Sequence, residues 1–413
     1  MTATYRIPGA ILTEREHVVP LDHAHPDGPS ITLFTREVAD PQGNDRPYLL
    51  FLQGGPGMEA TRPVSPPEGW LKRALREFRV LLLDQRGTGR STPVGSQLPG
   101  ATPQDQAAYL THFRADSIVR DAERVRAELG SPPWSTLGQS FGGFCTMAYL
   151  SIAPEGLRES FMTGGLSPIG RPVDDIYGAT WVRMIEKNGA FFRRYPEDRA
   201  RSREILRRLA DEDVRLPSGD RLTPGRFRQL GMWLGDDHGF ELLHHVIELP
   251  FGSNAFLVDV QHAQHYDRNP LYATLHESSY ADGVPTRWSA ERTMPDRVEA
   301  EGLFTAEHMF RWMWDEYGAL RPHKAAAALL ADHEWNKHYD ADRLARNEVP
   351  VAATIYTNDL YVEHAFAEET AAAIRGLRPW VTNEFEHSAL RSHGERVLDR
   401  LIDLARGRVY STV

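Results

Sequence analysis

Apolar runs of strand length recur in the first and last quarters of the chain. The run at residues 47–52 is unbroken, and two further runs of buried-strand type lie at residues 78–84 and 349–356. Such runs are typical of central strands that are buried on both faces of a parallel sheet. Residues 11–40 instead alternate between apolar and polar positions, which predicts two or three antiparallel strands at the edge of that sheet.

Shorter strands and several helices complete the pattern around these runs. Strands are predicted just before residue 140, at residues 159–165 and at residues 380–385. Helices are predicted at residues 116–129, 365–374 and 395–405, where the spacing of apolar residues is helical. Strands that alternate with helices predict an α/β protein with a mostly parallel central sheet.

The pattern of apolar residues changes in the middle of the chain. Residues 175–320 have helical spacing, many aromatic side chains and no clear strand pattern. We expect this stretch to be an inserted α-helical domain that covers the sheet. The predicted division is a core built from residues 1–170 and 331–413, with residues 171–330 as the cap.

Composition narrows the class of protein. The chain has 413 residues, of which 41% are hydrophobic and 25% charged, as in ordinary globular proteins. The net charge of −10 argues against nonspecific binding to nucleic acids. Cys145 is the single cysteine, so we expect no internal disulfide and no cysteine-based metal site. The sequence has no apolar run long enough to span a membrane and no signal-peptide pattern, so we expect a cytoplasmic location.

A serine lies in a glycine-rich turn between a predicted strand and a predicted helix. The turn has the pattern G-x-S-x-G, formed by Gly138, Ser140 and Gly142. In serine hydrolases this sharp turn lifts the hydroxyl clear of the chain, next to the N-terminus of the following helix. The alternative is an ordinary loop that happens to contain glycines. The strand and helix on either side favour Ser140 as a nucleophile.

Two backbone N–H groups are candidates for an oxyanion hole. Glycines directly follow the buried strand at residues 47–52, and among them the N–H of Gly55 is one candidate. Phe141, immediately after the serine, supplies the other. The alternative for the first loop is a plain tight turn. Asp84 and Arg86, in the loop after the next buried strand, are interpreted mainly as structural.

An acid and a histidine follow the serine in the order that this kind of hydrolase requires. Asp359 comes directly after the strand at residues 349–356, and His387 comes after the last predicted strand. Loops that follow parallel strands lie at one edge of a sheet, so Ser140, Asp359 and His387 can meet there. A serine hydroxyl needs an imidazole to take its proton, and the aspartate orients that imidazole.

The choice of acid and histidine leaves alternatives. His393 competes with His387, although it lies beside the last predicted helix. Glu363 and Glu384 compete with Asp359. Asp359 could also be a turn residue that caps the next helix.

Together these motifs resemble the proline iminopeptidases, or prolyl aminopeptidases, which are serine peptidases of the α/β-hydrolase fold. The resemblance rests on Gly-Gly-Pro-Gly at residues 54–57, on Asp-Gln-Arg-Gly-Thr-Gly-Arg-Ser at residues 84–91 and on Gly-Gln-Ser-Phe-Gly-Gly at residues 138–143. The segments around Asp359 and His387 are also similar to those of the family. Gln53 departs from the family pattern, where histidine commonly precedes the first glycine.

The resemblance implies a reaction and a mode of substrate recognition. It implies release of an N-terminal proline from peptides through an acyl-enzyme on Ser140, without a metal or cofactor. Family members bind the free amine of the substrate with glutamates of the cap, and Glu241 and Glu277 lie in segments similar to those concerned. Glu307 is a third candidate. The alternative for each of them is a solvated helix glutamate.

Other functions are compatible with the same fold. An esterase, amidase or lactonase would use the same serine, acid and histidine without needing a free amine on its substrate. A non-catalytic binding protein could also be built on this scaffold, although the three catalytic residue types are present.

Overall fold

A nine-stranded sheet lies at the centre of the molecule in the computed structural model, which describes residues 2–409. Its strands are β1 (Thr2–Ile7), β2 (Ala10–Pro20), β3 (Ser30–Ala39), β4 (Tyr48–Leu52), β5 (Arg79–Asp84), β6 (Trp134–Gln139), β7 (Leu157–Thr163), β8 (Val351–Tyr356) and β9 (Leu377–Thr382). They lie side by side in the order β1-β2-β3-β5-β4-β6-β7-β8-β9. The pairs β1-β2, β2-β3 and β3-β5 are antiparallel. The remaining pairs join β5, β4, β6, β7, β8 and β9, in that order, and all of them are parallel.

The apolar runs form the buried middle of this sheet, as predicted. Every residue of β4, β6 and β8 is buried, since each of these strands has a neighbour on both sides and helices over both faces. Along β4, Leu50 and Leu52 enter the core beneath α3 and α4 (Ala115–Glu128 and Phe141–Ile152), and Leu49 and Phe51 enter the core on the opposite face. This alternation follows from the period of two along a strand.

The last strand differs from its predicted position. It runs over Leu377–Thr382 and not over residues 380–385, because its pairing with β8 begins at Leu377. Pro379 is tolerated there because β9 is an edge strand with no neighbour on its outer side. Phe385 leaves the sheet and packs its ring against those of Trp380 and His393. Four residues of loop therefore separate β9 from His387.

Helices and the loops between them make up the rest of the described chain. Those before β7 or after β8 are α1 (Gly69–Leu75), α2 (Pro103–Leu110), α3, α4, α16 (His364–Ala373), α17 (Ala389–Ser392) and α18 (Gly394–Ala405). Those between β7 and β8 are α5 (Val173–Arg194), α6 (Asp198–Asp211), α7 (Pro224–Arg228), α8 (Gly239–Glu248), α9 (Asn254–His262), α10 (Pro270–Leu275), α11 (Ser289–Arg292), α12 (Asp296–Ala300), α13 (Met313–Glu316), α14 (Lys324–Ala331) and α15 (Ala341–Ala345). Short 3-10 helices lie at Thr111–Phe113, Pro154–Gly156, Gln229–Gly235, His265–Asp267, Glu277–Ser279 and Arg321–His323.

The predicted helices near residues 116–129, 365–374 and 395–405 correspond to α3, α16 and α18. We use the name cap for residues 171–330; that they form a separate domain stays a prediction. Met1 and residues 410–413, at the ends of the predicted core segments, lie outside the described residues. Within residues 2–409, no helix is long and apolar enough to cross a membrane, and no cluster of His, Cys, Asp or Glu is arranged to hold a metal ion.

A fully buried arginine ties the loop after β5 to the outer strands. The guanidinium of Arg86 donates to both carboxylate oxygens of Asp121 at 2.7 and 2.6 Å. It also donates to the backbone carbonyl oxygens of Pro20, Leu21 and His112. Asp84 accepts a hydrogen bond from the backbone N–H of Arg90. Both residues therefore have the structural role that the sequence predicted, although they do not pair with each other.

Removal of this arginine should destabilise the fold. Arg86→Met takes the arginine from the buried carboxylate of Asp121 and leaves it the hydrogen bond with His23 at 2.8 Å. We expect a loss of up to about 3–5 kcal/mol in the free energy of unfolding. Urea denaturation followed by circular dichroism measures it. Arg207→Met, which removes an exposed arginine paired with Glu204, is the control and should leave the midpoint nearly unchanged. Equal midpoints for the two variants would contradict the structural role.

Candidate active site

Ser140 lies in a sharp turn between β6 and α4. Its backbone has φ +54° and ψ −124°, a combination that non-glycine residues rarely adopt. Its N–H donates to the carbonyl oxygen of Thr163 on β7 at 2.9 Å, and the N–H of Gly143 donates back to the carbonyl oxygen of Ser140 at 2.7 Å. These hydrogen bonds hold the strained residue in place and leave its side chain at the end of the strand.

The glycines of the motif are required by close backbone contacts. A Cβ atom at Gly138 would overlap the carbonyl group of Gly142, and one at Gly142 would overlap the carbonyl oxygen of Leu52 on β4. The next glycine, Gly143, lies equally close to the backbone of Gly165. The turn therefore has the geometry that the G-x-S-x-G pattern predicts.

Asp359 and His387 form a buried pair in the loops after β8 and β9. Oδ2 of Asp359 lies 2.7 Å from Nδ1 of His387. Its other oxygen, Oδ1, accepts the backbone N–H groups of Tyr361 at 2.9 Å and Val362 at 3.1 Å. Since a carboxylate can only accept, Nδ1 carries the hydrogen, and Nε2 keeps the lone pair that a general base needs.

The environment of His387 favours its protonated form. Burial alone would lower the pKa of this imidazole, but the charge of Asp359 and the hydrogen bond to it outweigh that effect and raise the pKa above its ordinary value. The carboxylate of Glu307 raises it further. The site is thus arranged to stabilise an imidazolium, which is the species that forms when histidine takes the proton of a serine.

Ser140 and His387 line the same cavity, which has a volume of about 420 Å³. Gly55 also lines it, in the loop after β4. Phe141 begins α4, so its N–H has no partner within the helix. Both candidate oxyanion donors are therefore beside Ser140, as expected from their places in the chain; the donor roles themselves stay a prediction.

Glu307 is the predicted cap glutamate that reaches this cavity. Its side chain is 21% exposed, and it accepts a hydrogen bond from the hydroxyl of Tyr272. Burial raises the pKa of Glu307 to about 7, and the neighbouring charge of Asp359 contributes in the same direction. Nε2 of His276 lies 3.8 Å from Oε2 of Glu307, but burial lowers the pKa of that imidazole to about 3, so it carries no charge. Within residues 2–409, no arginine or lysine pairs with Glu307 to offset its desolvation.

The other two predicted glutamates lie elsewhere. Glu241 is on α8, where its side chain is 36% exposed and pairs with Arg194. Glu277 is buried, but it accepts the backbone N–H groups of Ser289 at 3.1 Å and Ala290 at 2.9 Å, at the start of α11. Neither lines the cavity of Ser140. Their positions do not support the predicted contact with a substrate amine, because both carboxylates are committed to structural partners away from the serine.

The alternative acid and histidine residues also have other partners. Glu363 pairs with Arg183 at 2.7 Å and accepts from the start of α16, and Glu384 pairs with Arg396 at 2.6 Å. His393 is exposed and precedes α18. The geometry therefore favours Asp359 and His387 over each of them.

Several lining residues were not identified from the sequence. Asp236 adds a second carboxylate, whose Oδ1 lies 3.3 Å from a guanidinium nitrogen of Arg391, and Tyr272 and Tyr361 add aromatic surface. The pair Asp236-Asp237 follows a glycine at the end of a 3-10 helix, which is a weak signal of a loop near a site. A single sequence gives no reason to choose these residues among the other acids and aromatics of the cap.

Comparison with known proteins places these features in context. The alpha/beta hydrolase fold family matches residues 47–393, which confirms the predicted fold class. A proline iminopeptidase of Aeromonas sobria is 48% identical over 404 residues, covering 94% of this chain and 95% of that protein. A proline iminopeptidase of Aspergillus aculeatus is 33% identical over an alignment of 430 residues, covering 97% of this chain and 95% of that protein. Among solved structures, 2-hydroxy-6-oxo-6-phenylhexa-2,4-dienoate hydrolase from a Rhodococcus species aligns over 96% of this chain and 99% of its own, with 15% identity and a TM-score of 0.46.

The raised pKa of Glu307 predicts a pH-dependent cost in stability. The pKa of Glu307 is about 7 in the folded protein, against an ordinary 4.5. Between these pH values, the folded protein keeps the proton of Glu307 and the unfolded chain has lost it. The free energy of unfolding therefore falls as the pH rises through this range. Glu307→Gln should therefore gain on the order of 1–3 kcal/mol relative to wild type at pH 8 compared with pH 5. Urea denaturation at the two pH values measures this, and an equal effect at both would contradict it.

Proposed function

Because the chain belongs to the proline iminopeptidase family, we propose that it is a serine aminopeptidase that releases N-terminal proline from peptides. The observation that carries the proposal is the shared cavity of Ser140, His387 and Glu307. It combines a nucleophile and its base with a carboxylate that has no arginine or lysine partner within residues 2–409. An N-terminal residue offers a scissile carbonyl and an ammonium group separated by a single carbon, so one small cavity has to serve both.

In the proposed reaction, Oγ of Ser140 attacks the carbonyl carbon of the N-terminal proline while Nε2 of His387 takes the hydroxyl proton. Asp359 fixes the tautomer of the imidazole and stabilises its positive charge. The oxyanion accepts hydrogen bonds from the N–H groups of Gly55 and Phe141. The C–N bond then breaks, and the imidazolium gives its proton to the leaving amine.

The second half of the reaction releases proline from the enzyme. Water attacks the ester carbonyl of the acyl-enzyme, and Nε2 of His387 takes a proton from that water. The ester bond to Ser140 breaks, and the imidazolium returns the proton to Oγ. Proline leaves as the free acid, which loses its proton to solvent water, and the residues recover their starting states.

Glu307 is the proposed anchor for the substrate ammonium. A secondary ammonium in a cavity with aromatic walls loses water, and an opposite charge within reach offsets that cost. The ionised form of Glu307 is stabilised as well, because the cation offsets the desolvation that raises the pKa of this carboxyl. Asp236 adds negative charge to the same cavity, but it already has Arg391 as a partner. The uncommitted carboxylate is therefore the one expected to bind.

The proposed specificity predicts a requirement for a free amine. We expect hydrolysis of proline β-naphthylamide, and loss of at least about 10²-fold in kcat/KM when the amine is acetylated, because an uncharged acyl group leaves Glu307 without a cation. Ser140→Ala should abolish the activity. Assay of the proline compound, its N-acetyl form and the alanine analogue measures this. Equal cleavage of the acetylated compound would favour an esterase or amidase without amine recognition.

The choice among the cap glutamates predicts a difference between two matched variants. Glu307→Gln should lower kcat/KM for proline β-naphthylamide by about 10²–10³-fold, because the substrate ammonium loses its buried charged partner. Glu241→Gln makes the same chemical change on an exposed helix and should stay within about twofold of wild type. Steady-state kinetics of both variants measures the difference. A loss of kcat/KM in Glu241→Gln but not in Glu307→Gln would instead identify Glu241, one of the residues predicted from the sequence, as the partner of the substrate amine.

A further inference from the structure

The loop that carries His387 is attached to a loop of the cap. We call residues 383–388 the histidine loop and residues 235–238 the cap loop. The backbone N–H of His387 donates to the carbonyl oxygen of Gly235 at 3.2 Å. The N–H of the preceding residue, Glu386, donates to Oδ1 of Asp237 at 2.9 Å. Two consecutive N–H groups of the histidine loop therefore donate hydrogen bonds to the cap loop.

Asp237 also contacts the chain on the far side of the histidine. Its backbone N–H donates to Oγ of Ser388 at 3.3 Å, and its Oδ2 accepts from the hydroxyl of Ser392. The side chain of Asp237 is 12% exposed. Both carboxylate oxygens are thus used, and one residue of the cap holds groups before and after His387.

The cap loop can come this close because Gly235 has no side chain. A Cβ atom there would overlap the ring of Tyr361. The same ring lies edge-on to the imidazole of His387, with 4.8 Å between the ring centroids. The hydroxyl of Tyr361 donates to the carbonyl oxygen of Met232, just before the cap loop. The imidazole and the cap loop are therefore both packed against the ring of Tyr361.

We propose that Asp237 is a positioning residue, which holds the histidine loop so that Nε2 of His387 faces Ser140. The hydrogen bond to Asp359 fixes the tilt of the imidazole, but it does not fix the backbone that carries it. That backbone follows an edge strand by four residues of irregular loop, where few sheet contacts restrain it. The inference rests on the proposed function, because it takes His387 as the general base.

The role of Asp237 is geometric. Its carboxylate accepts a backbone N–H and a hydroxyl, and within residues 2–409 the imidazole that lies near it is that of the exposed His393, with Nδ1 3.9 Å from Oδ2. Asparagine keeps an oxygen for the N–H of Glu386 and offers its amide to Ser392. Alanine loses both contacts. The two substitutions therefore separate the hydrogen bonds of Asp237 from its charge.

The test compares three variants of the full chain: Asp237→Ala, Asp237→Asn and Asp220→Ala. Asp220 is the matched control, because it also lies in the cap, is 13% exposed and accepts a backbone N–H, that of Gly318 at 2.8 Å, away from the cavity. For each variant we would measure kcat and KM with proline β-naphthylamide, thermal stability and the rate of inactivation by a fluorophosphonate, which reacts with an activated serine.

We expect Asp237→Ala to lower kcat and the inactivation rate by about 10–100-fold, since small displacements of a reacting group are costly, with KM within about threefold of wild type. Asp237→Asn should keep at least a third of the wild-type kcat. Asp220→Ala should keep the wild-type kcat even if its thermal stability falls as much as that of Asp237→Ala. The acid limb of the pH profile should have the same midpoint in wild type and in Asp237→Asn.

Three outcomes would overturn the inference: a wild-type rate in Asp237→Ala, an equal loss in Asp220→Ala, or an Asp237→Asn variant as slow as Asp237→Ala with a shifted acid limb. Failure of the proposed function gives different results. A wild-type protein that does not react with the fluorophosphonate contradicts catalysis by Ser140, and the role of Asp237 falls with it. A wild-type protein that reacts but cleaves no proline compound contradicts only the substrate, and the inactivation rates still decide the role of Asp237.

Discussion

The candidate site depends on a contact between two backbones that leaves no room for a Cβ atom. The first turn of α4 lies against the end of β4, with Gly142 touching the carbonyl oxygen of Leu52. Because β4 and β6 are parallel neighbours, the loops that follow them leave the sheet side by side. Gly54 consequently lies so close to Ser140 that a Cβ atom there would be 3.1 Å from that of the serine. One steric constraint thus brings the nucleophile and a candidate oxyanion donor together.

The residues that follow parallel strands could be predicted because sheet topology determines where they meet. Ser140, Asp359 and His387 each come after a strand of the parallel part, so their side chains converge at one edge even though long stretches of chain separate them. The bounds of β9 could not be predicted to the residue, because residues 377–385 have no regular alternation of apolar and polar positions. The strand begins and ends where its partner β8 begins and ends, and that pairing is a property of the folded chain.

The cap glutamates could not be ranked from sequence for a different reason. Glu241, Glu277 and Glu307 all lie in segments with helical spacing, and the period of a helix says which face is buried without saying what the buried face meets. Glu277 is at least as buried as Glu307, but its carboxylate satisfies two backbone N–H groups. Glu307 has the hydroxyl of Tyr272 and an open cavity. The distinction lies in the partners of each carboxylate, which only the folded chain specifies.

Asp236 and Asp237 are adjacent in the cap, and one of them lines the cavity while the other contacts the loop that carries His387. The backbone at Asp236 is extended, with φ −99° and ψ 153°, and successive side chains of extended chain point in opposite directions. Asp236 therefore lines the cavity, whereas Asp237 accepts the backbone N–H of Glu386, before His387, and donates its own N–H to the hydroxyl of Ser388, after it. In the proposed mechanism, the surface that meets the substrate and the anchor of the general base are therefore consecutive residues of the cap, so the fold cannot place one without the other.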